Sequence, residues 1–240
     1  MSLAGKHILI TGAAVRVGAA LARAVAAAGG TVLLHYHRSA DAAARLHAEL
    51  SATGARAHLL QADLSQPQQA TALLQQAQAY GPVDGLVNSA AIFEDLTLET
   101  TSAADWQRHL DLNLTTPFLL SQAFWRAAGQ RSGHIINILD WRALRPAGDH
   151  LPYTISKVAL AGLTRALAQS MAPHIRVNGI ALGAILPPSD GGENAAIIKD
   201  VPAGRWATLE EVGQTLLFLL TGPSYITGEI IHLDGGRHLV

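Results

Sequence analysis

The stretch "ITGAAVRVG", from Ile10 to Gly18, is the most informative part of this 240-residue sequence. It joins a short apolar strand, "HILIT", to an alanine-rich helix through a turn that contains glycine. Gly12 permits a tight turn, and Gly18 allows the helix to approach the strand closely. Because the free amide groups at a helix start attract phosphate, this pattern predicts a dinucleotide-binding turn. Arg16 is unusual, since it stands where such turns carry their middle glycine.

The rest of the chain alternates short β-branched runs with longer stretches rich in alanine and leucine. The predicted strands are "HILIT", "TVLLHYH", "AHLLQAD", "DGLVNSA", "GHIINILD", "IRVNGIAL" and "EIIHLD". Helical patterns lie near residues 18–28, 41–52, 67–80, 103–127, 153–172 and 208–221. This alternation predicts a parallel sheet with helices on both faces. We therefore expect a single Rossmann-type, doubly wound α/β domain over residues 1–240, with a seven-stranded sheet.

Two local patterns refine this expectation near the C-terminal end. Thr208 and Glu211 form a capping-box pattern at the start of the last long helix. The segment from Leu186 to Arg205 is rich in proline and glycine and predicts a long loop on the substrate side, with a simple surface excursion as the alternative.

The composition excludes several classes of protein. A formal net charge of −1 gives no electrostatic surface for nucleic acid, and the absence of cysteine excludes disulfides and thiolate metal sites. The eleven histidines are scattered and form no metal-binding pair at helical spacing. No apolar run reaches the roughly 20 residues that span a bilayer, and Met1 to Ile10 lacks the basic-then-apolar pattern of a signal peptide. We expect a cytoplasmic protein with no metal, nucleic-acid or membrane partner.

The end of the second strand, "HYHRSAD", predicts the type of dinucleotide. A free ribose 2′-hydroxyl calls for an acidic residue at this position, and none is present. His37, Arg38 and Ser39 instead supply a cation and hydrogen-bond donors, which suit a 2′-phosphate. The predicted cofactor is therefore NADPH, and an exposed arginine on an ordinary turn is the alternative.

The motif "YTISK" predicts the catalytic end of the site. Tyr153 and Lys157 are four residues apart on a helix, so they share one face. An ammonium group beside a phenol stabilises the phenolate and so makes the phenol a usable proton donor. The alternative is that Tyr153 and Lys157 are an ordinary pair on a helix surface. Two neighbouring features argue against it: "NILD" at the end of the preceding strand and Asn113 in "DLNLTTPFLL".

In this order, "TGAAVRVG", "AD" at residues 62–63, "LVNSAA", Asn113, "YTISK", "RVNGI" and "ITGEIIHLDGG" resemble the short-chain dehydrogenase/reductase family over essentially the whole chain. The resemblance implies that Asp63 lies near the adenine, Asn88 near the adenosine ribose and Lys157 on the nicotinamide ribose. It implies that Asn113 holds a water of a proton relay and that the protein is a homotetramer. With the turn and the second strand, the expected cofactor-binding residues are Gly12, Arg16, Val17, Gly18, His37, Arg38, Ser39, Asp63, Leu64, Asn88, Ala90, Lys157 and Gly183.

Three departures from the family pattern narrow the resemblance. Arg16 replaces a turn glycine, Asp140 replaces the catalytic serine, and "NSAA" followed by Phe93 replaces "NNAG". Together they resemble the pteridine reductases, and "DGGRHL" is similar to the bacterial dihydromonapterin and dihydrofolate reductases. A further departure, Leu182 in place of a proline before Gly183, leaves the nicotinamide carboxamide without an evident side-chain partner.

A pterin substrate gives these departures a physical sense. Phe93 would stack on the flat ring, with core packing as its alternative role. Arg16 would reach both the pyrophosphate and the carbonyl edge of the pterin, or the phosphate alone. Asp140 would raise the pKa of Tyr153 against the effect of Lys157 and keep the phenol protonated, or would merely cap the next turn.

We therefore expect catalysis by Asp140, Tyr153, Lys157 and Asn113, and substrate binding by Arg16, Phe93, Asp140 and Tyr153. The predicted activity is NADPH-dependent reduction of a dihydropterin, with hydride added to carbon and a proton to the ring nitrogen. The alternatives are a broad carbonyl reductase of 3-oxoacyl thioesters, sugars or quinones, and an NADPH-binding protein of low activity.

Overall fold

The computed structural model describes residues 2–186 and 194–240, and they contain the predicted seven-stranded parallel sheet. The strands are β1 (His7–Ile10), β2 (Thr31–Tyr36), β3 (Ala57–Gln61), β4 (Gly85–Asn88), β5 (Gly133–Asp140), β6 (Ile175–Leu182) and β7 (Ile230–Leu233). Their order in the sheet is β3-β2-β1-β4-β5-β6-β7, and every pairing is parallel. The predicted fold is therefore confirmed.

Eight α-helices connect the strands within the described residues. They are α1 (Arg16–Ala27), α2 (Ala40–Ala52), α3 (Pro67–Gln78), α4 (Ala103–Leu110), α5 (Thr116–Ala128), α6 (Leu151–Met171), α7 (Asn194–Lys199) and α8 (Leu209–Thr221). The predicted capping box at the start of α8 is confirmed, because Thr208 and Glu211 exchange hydrogen bonds with each other's backbone.

The core lies on both faces of the sheet, because alternate residues of each strand point to opposite sides. Ile8 and Ile10 of β1 belong to a cluster with residues of α1, α2 and α8. Leu9 belongs to a second cluster with residues of α3, α5 and α6. The five inner strands are buried on both faces, which explains why their sequences are apolar runs rather than alternating patterns, whereas the edge strands β3 and β7 are only partly buried.

The strand order places a crevice at one position of the sheet. After β1, the chain adds β2 and β3 on one side of this strand and then β4 to β7 on the other side. The direction in which strands are added therefore reverses between β1 and β4. In doubly wound folds, ligands bind at this switch point, beyond the carboxyl ends of the strands. The turn after β1 and the residues after β4 both lie there.

Two predicted elements differ from the structure. The helix predicted over 103–127 is interrupted by a π-helical segment, Asp111–Thr115, because the ring of Pro117 conflicts with regular α-helical bonding to the preceding turn. The loop predicted over 186–205 contains the helix α7 in its described part. Residues 187–193 of this loop lie outside the described residues.

Candidate active site

The turn after β1 is a close contact between two backbone segments. A Cβ atom on Gly18 would lie 2.1 Å from the carbonyl oxygen of Gly12, and one on Gly12 would lie 3.0 Å from Cα of Ala90. Gly18 therefore holds α1 directly against the turn, as the sequence predicts, and Val17 is half-buried beside it. Exposed Arg16 begins α1 with a φ of 51°, a left-handed conformation that favours glycine, and so it keeps the backbone shape while adding a cation.

His35, which the sequence analysis does not select, positions the same turn. Its Nδ1 accepts a hydrogen bond from the amide of Gly12 at 3.0 Å, and its Nε2 lies 3.1 Å from the carbonyl oxygen of Ala62. These partners require the neutral tautomer with hydrogen on Nε2. Burial lowers the pKa of His35 to about 4, which keeps the ring neutral near pH 7. The signal was a polar residue within the apolar strand "TVLLHYH".

Thr11, also not selected from the sequence, joins the ends of β1 and β4. Its hydroxyl oxygen accepts hydrogen bonds from the amides of Ser89 at 2.9 Å and Ala90 at 3.0 Å. Asn88, at the end of β4, is buried and donates through Nδ2 to Oδ1 of Asn137 at 2.8 Å. These bonds fix the edge of the switch-point crevice.

The residues predicted to recognise the 2′-phosphate lie just after β2, next to Asp63, which follows β3 and was expected near the adenine. Nε2 of His37 is 3.8 Å from Oδ2 of Asp63. Arg38 is exposed, and Ser39 precedes the first residue of α2. Asp63 accepts bonds from the backbone and hydroxyl of Ser65, which, with the nearby cations, lower its pKa. An exposed cation thus lies beside the start of α2. We name His37, Arg38, Ser39 and Asp63, together with the turn after β1, the cofactor end.

Two further predicted cofactor residues have packing roles. Leu64 is buried, and its carbonyl oxygen accepts a 2.6 Å hydrogen bond from the hydroxyl of Thr116. A Cβ atom on Gly183 would lie 2.5 Å from Cα of Asp234. The glycine at position 183 is therefore required by its contact with the end of β7, whether or not a nicotinamide passes it.

Tyr153 and Asp140 form a direct pair at the opposite end of the crevice. The Tyr153 hydroxyl donates to Oδ2 of Asp140 at 3.2 Å, while Oδ1 accepts from the amide of Arg142 at 2.9 Å. The carboxylate therefore both caps the turn after β5 and contacts the phenol. Burial and the neighbouring carboxylate raise the pKa of Tyr153 well above its usual range, so the phenol holds its proton.

Lys157 lies on the same face of α6 as Tyr153 and is almost fully buried. Its Nζ donates to the carbonyl oxygen of Ile138 at 2.7 Å and lies 5.6 Å from the centroid of the tyrosine ring. Burial lowers its pKa to about 8. The expected opposition of Lys157 to Asp140 is not what the structure gives, because Arg142 is the cation that lowers the pKa of Tyr153. The guanidinium of Arg142 also pairs with Asp149.

Asn113 lies in the π-helical segment and is buried. Its Oδ1 accepts from the amide of Ile92 at 3.0 Å, and its Nδ2 donates to the carbonyl oxygen of Ile92 at 3.0 Å and to Oγ of Ser156 at 3.1 Å. Both amide hydrogens are therefore used, and only a lone pair of Oδ1 is left for the expected water. The side chain joins the segment before Phe93 to α6.

Phe93 borders the phenol of Tyr153. Its ring makes an edge contact with the tyrosine ring at 4.7 Å and stacks on His150 at 4.1 Å. Because 54% of Phe93 is exposed, core packing does not explain it. We name Phe93, Asn113, Asp140, Tyr153 and Lys157 the catalytic end.

The described residues contain neither a candidate metal cluster nor a candidate membrane span. No group of three or more histidine, aspartate or glutamate side chains among them is arranged to hold a metal ion. Within the same part of the chain, no helix is long and apolar enough to cross a membrane.

Comparisons with known proteins place this geometry among related chains. Residues 12–238 match the family model described as enoyl-(acyl carrier protein) reductase. The 3-oxoacyl-[acyl-carrier-protein] reductase of Synechocystis is 34% identical over 98% of both chains.

Solved structures of related proteins also resemble this chain over nearly its whole length. FolM alternative dihydrofolate reductase 1 from Brucella canis, solved with NADP, is 35% identical with a TM-score of 0.92, covering 100% of this chain and 97% of that one. A short-chain dehydrogenase from Burkholderia cenocepacia, also solved with NADP, is 31% identical with a TM-score of 0.93 over 99% of both chains. The cofactor in these complexes agrees with the predicted one.

Proposed function

The chain belongs to the short-chain dehydrogenase/reductase family, and on that premise we propose that it is an NADPH-dependent reductase of a dihydropterin. NADPH is the cofactor, and when bound it supplies the hydride. The residues of the cofactor end fit it: the glycine turn leaves no room for a Cβ, and Arg38 stands where a 2′-phosphate needs a cation.

The observation that carries the proposal is the 3.2 Å hydrogen bond between Tyr153 and Asp140. A serine hydroxyl in this position donates to a carbonyl oxygen, whereas an ionised carboxylate only accepts. Asp140 therefore favours a substrate with N–H groups at its edge and disfavours one that presents only carbonyl oxygens. A pterin ring has such N–H groups.

The same pair supports proton delivery to nitrogen. Reduction of a C=N bond requires a hydride on carbon and a proton on nitrogen. The bound cofactor would supply the hydride, and Tyr153 would supply the proton. As the new C–H bond forms, the electron pair of the C=N bond takes the proton from the Tyr153 hydroxyl. The raised pKa of Tyr153 means that the donor is protonated at the start of each turnover.

Phe93 and Lys157 complete the assignment. The exposed ring of Phe93 offers a flat surface next to the phenol, and a bicyclic heteroaromatic ring stacks well on such a surface. The ammonium of Lys157 is fixed on a backbone oxygen beside the tyrosine ring, where it would hold the nicotinamide ribose of the bound cofactor, while Arg142 is the cation that opposes Asp140.

Reduction of a 3-oxoacyl thioester is the second candidate function. It is favoured by the relative named as a 3-oxoacyl-[acyl-carrier-protein] reductase and by Tyr153, Lys157 and Asn113, which suit either substrate. Asp140 and Phe93 distinguish the two, because a thioester needs neither a carboxylate acceptor nor a stacking surface.

The test is NADPH oxidation, followed by absorbance, with dihydromonapterin, dihydrobiopterin, dihydrofolate and a 3-oxoacyl thioester in parallel and NADH as the cofactor control. We expect turnover of at least one dihydropterin and little of the thioester. The variant Asp140→Ser still caps the next turn, since serine is a good cap, but loses the carboxylate. It should lose most dihydropterin turnover.

Three outcomes would contradict the proposal. Turnover of the thioester alone would favour the second candidate. Wild-type dihydropterin rates in Asp140→Ser would remove the role of the carboxylate. Tight NADPH binding without turnover of any substrate would favour a binding protein of low activity.

A further inference from the structure

A cavity of about 810 Å³ lies beside the catalytic end and has no role in the proposed chemistry. Trp141, which directly follows Asp140, forms part of its wall. Other parts of the wall come from the segment after the β5 turn, from the end of α7 and from the C-terminal residues. Cavities for small ligands typically measure about 300–1,000 Å³, so this one has room for more than a single planar ring.

Three cations converge on the cavity from separate parts of the chain: Arg145, Lys199 and Arg237. Among the described residues of its wall, the opposing anion is Asp200. Within the described part of the chain, none of the three cations forms an ion pair within 4.0 Å. The cavity therefore has an excess of positive charge that the described residues do not neutralise by direct pairing.

Neighbouring arginines show that this lack of ion pairs is local. Arg142, next to Trp141, pairs with Asp149, and Arg205, a few residues after α7, pairs with Glu211. The chain thus pairs the cations that border the cavity wall but not those that line it. Convergent like charges cost free energy unless a counter-charge is bound.

The cations of the wall are partly held in position. The guanidinium carbon of Arg237 lies 4.5 Å from the centroid of the Trp141 ring, a cation–π contact. Nη1 of Arg145 lies 3.4 Å from the carbonyl oxygen of Arg237 and donates to it. Burial and the neighbouring Arg142 lower the pKa of Arg237, which indicates an environment that disfavours further positive charge. An anionic group would relieve this.

We propose that the cavity binds the anionic tail of the substrate, a carboxylate or phosphate group joined by a linker to the ring that Tyr153 protonates. This inference rests on the proposed function, since the ring is taken to be a dihydropterin. It names the substrate class more narrowly: a dihydropterin whose side chain carries negative charge. Trp141 lines the cavity and directly follows Asp140, so a linker from a ring at Tyr153 has only a short distance to cover before it reaches the cavity.

The experiment compares three dihydropterins that differ in the tail: dihydromonapterin, which is neutral, dihydrofolate, which carries carboxylates, and the phosphate ester of dihydromonapterin. Each is tested with the wild type and with Arg145→Glu and Lys199→Glu, both exposed positions. The control is Arg56→Glu, an exposed arginine just before β3 and at the opposite edge of the sheet.

We expect each cavity variant to lower kcat/KM about tenfold for the anionic tails, the effect of one charge-assisted hydrogen bond, and to leave the neutral tail within about twofold. Arg56→Glu should change neither. A loss confined to the carboxylate or to the phosphate identifies which anion the cavity takes. Equal losses for charged and neutral tails, or no loss, would overturn the inference while leaving the dihydropterin activity intact.

If the wild type reduces no dihydropterin, the proposed function fails and the cavity is tested by itself. Binding of p-aminobenzoylglutamate and of inorganic phosphate is then measured by calorimetry on the NADPH complex. Weaker binding of either probe to Lys199→Glu than to Arg56→Glu supports an anion site, and equal or absent binding overturns it.

Discussion

The cofactor end and the catalytic end differ in what they are built from. At the cofactor end, backbone groups and the absence of side chains determine the shape: a Cβ on Gly18 would overlap a carbonyl oxygen, and His35 and Thr11 bond only backbone groups. At the catalytic end, side chains act on each other, so that burial and the carboxylate of Asp140 raise the pKa of Tyr153.

This difference explains which substitutions each end tolerates. The cofactor end accepts Arg16 in place of a glycine, because that residue keeps the left-handed backbone and points a side chain outward. At the catalytic end a substitution has a direct chemical effect. Asp140, which stands where the family pattern has serine, places a different charge beside the hydroxyl of Tyr153. On the proposed function, we expect the first kind of change to alter which ligand binds and the second to alter which reaction is favoured.

Removal of the proton donor has the largest expected effect on rate. Tyr153→Phe keeps the ring and its contact with Phe93 but loses the hydroxyl, so kcat should fall about 10²- to 10⁴-fold. The affinity for NADPH, measured by fluorescence titration, should change less than twofold, because the cofactor end is untouched. Wild-type kcat in this variant would mean that another group delivers the proton.

Addition of one methyl group tests the cofactor end. Gly18→Ala places Cβ 2.1 Å from a backbone oxygen, so α1 must move away from the turn. Overpacking of this kind costs about 3 kcal/mol, and we expect NADPH affinity to fall at least about 100-fold. Gly162→Ala is the matched control: it lies within α6 with open space around it, and it should stabilise the protein slightly in urea unfolding. Equal behaviour of the two variants would contradict the close-approach argument.

The neutral ring of His35 makes the cofactor end sensitive to acid. Its pKa is lowered from the usual 6.5 to about 4, so the unfolded chain binds the proton first as the pH falls. The contribution is complete above pH 6.5 and is lost as the pH falls through about 4, a decrease of about 3 kcal/mol in the free energy of unfolding. Urea unfolding between pH 4 and 7 measures this decrease. The variant His35→Gln should lose the part of the pH dependence that His35 causes.

His134 provides the control, because burial also lowers its pKa to about 4 but its ring contacts Arg176, far from the turn. His134→Gln should remove a similar share of the acid sensitivity and leave NADP⁺ affinity unchanged. His35→Gln should weaken NADP⁺ binding about tenfold, since the amide of Gly12 loses its acceptor. Equal affinities in the two variants would mean that His35 only stabilises the fold.

The fold could be predicted almost entirely from the sequence, and the site only in part. Seven apolar runs separated by helical patterns are sufficient for a parallel sheet, and glycine at 12 and 18 is sufficient for the turn. The π-helical segment at 111–115 was not predicted, because helical periodicity does not show one extra residue in a turn. The side-chain contacts of Asn113 depend on that segment and were therefore also beyond prediction.

The electrostatics of the catalytic end show the same limit. The spacing of Tyr153 and Lys157 predicts a shared face, but which cation opposes Asp140 depends on distances across the turn after β5. Arg142 has this role because that turn folds its side chain back toward Asp140 and Asp149. The roles of His35 and Thr11 depend equally on which strands become neighbours, which residue type alone does not reveal.

The last prediction concerns the exposed edge of the cofactor end. Arg38→Ala removes the cation assigned to the 2′-phosphate, and a charge-assisted hydrogen bond contributes about 1.5–3 kcal/mol, so the preference for NADPH over NADH should fall about 10- to 100-fold. The ratio of kcat/KM for the two cofactors measures it, with Arg56→Ala as a control just before β3, at the opposite end of the strands from Arg38. Because Arg38 follows β2 and lies outside the catalytic end, the loss should be in KM for NADPH while kcat is kept. An unchanged ratio would mean that Arg16, not Arg38, binds the 2′-phosphate. The preference for NADPH should then be lost when Arg16 and Arg38 are both replaced by alanine.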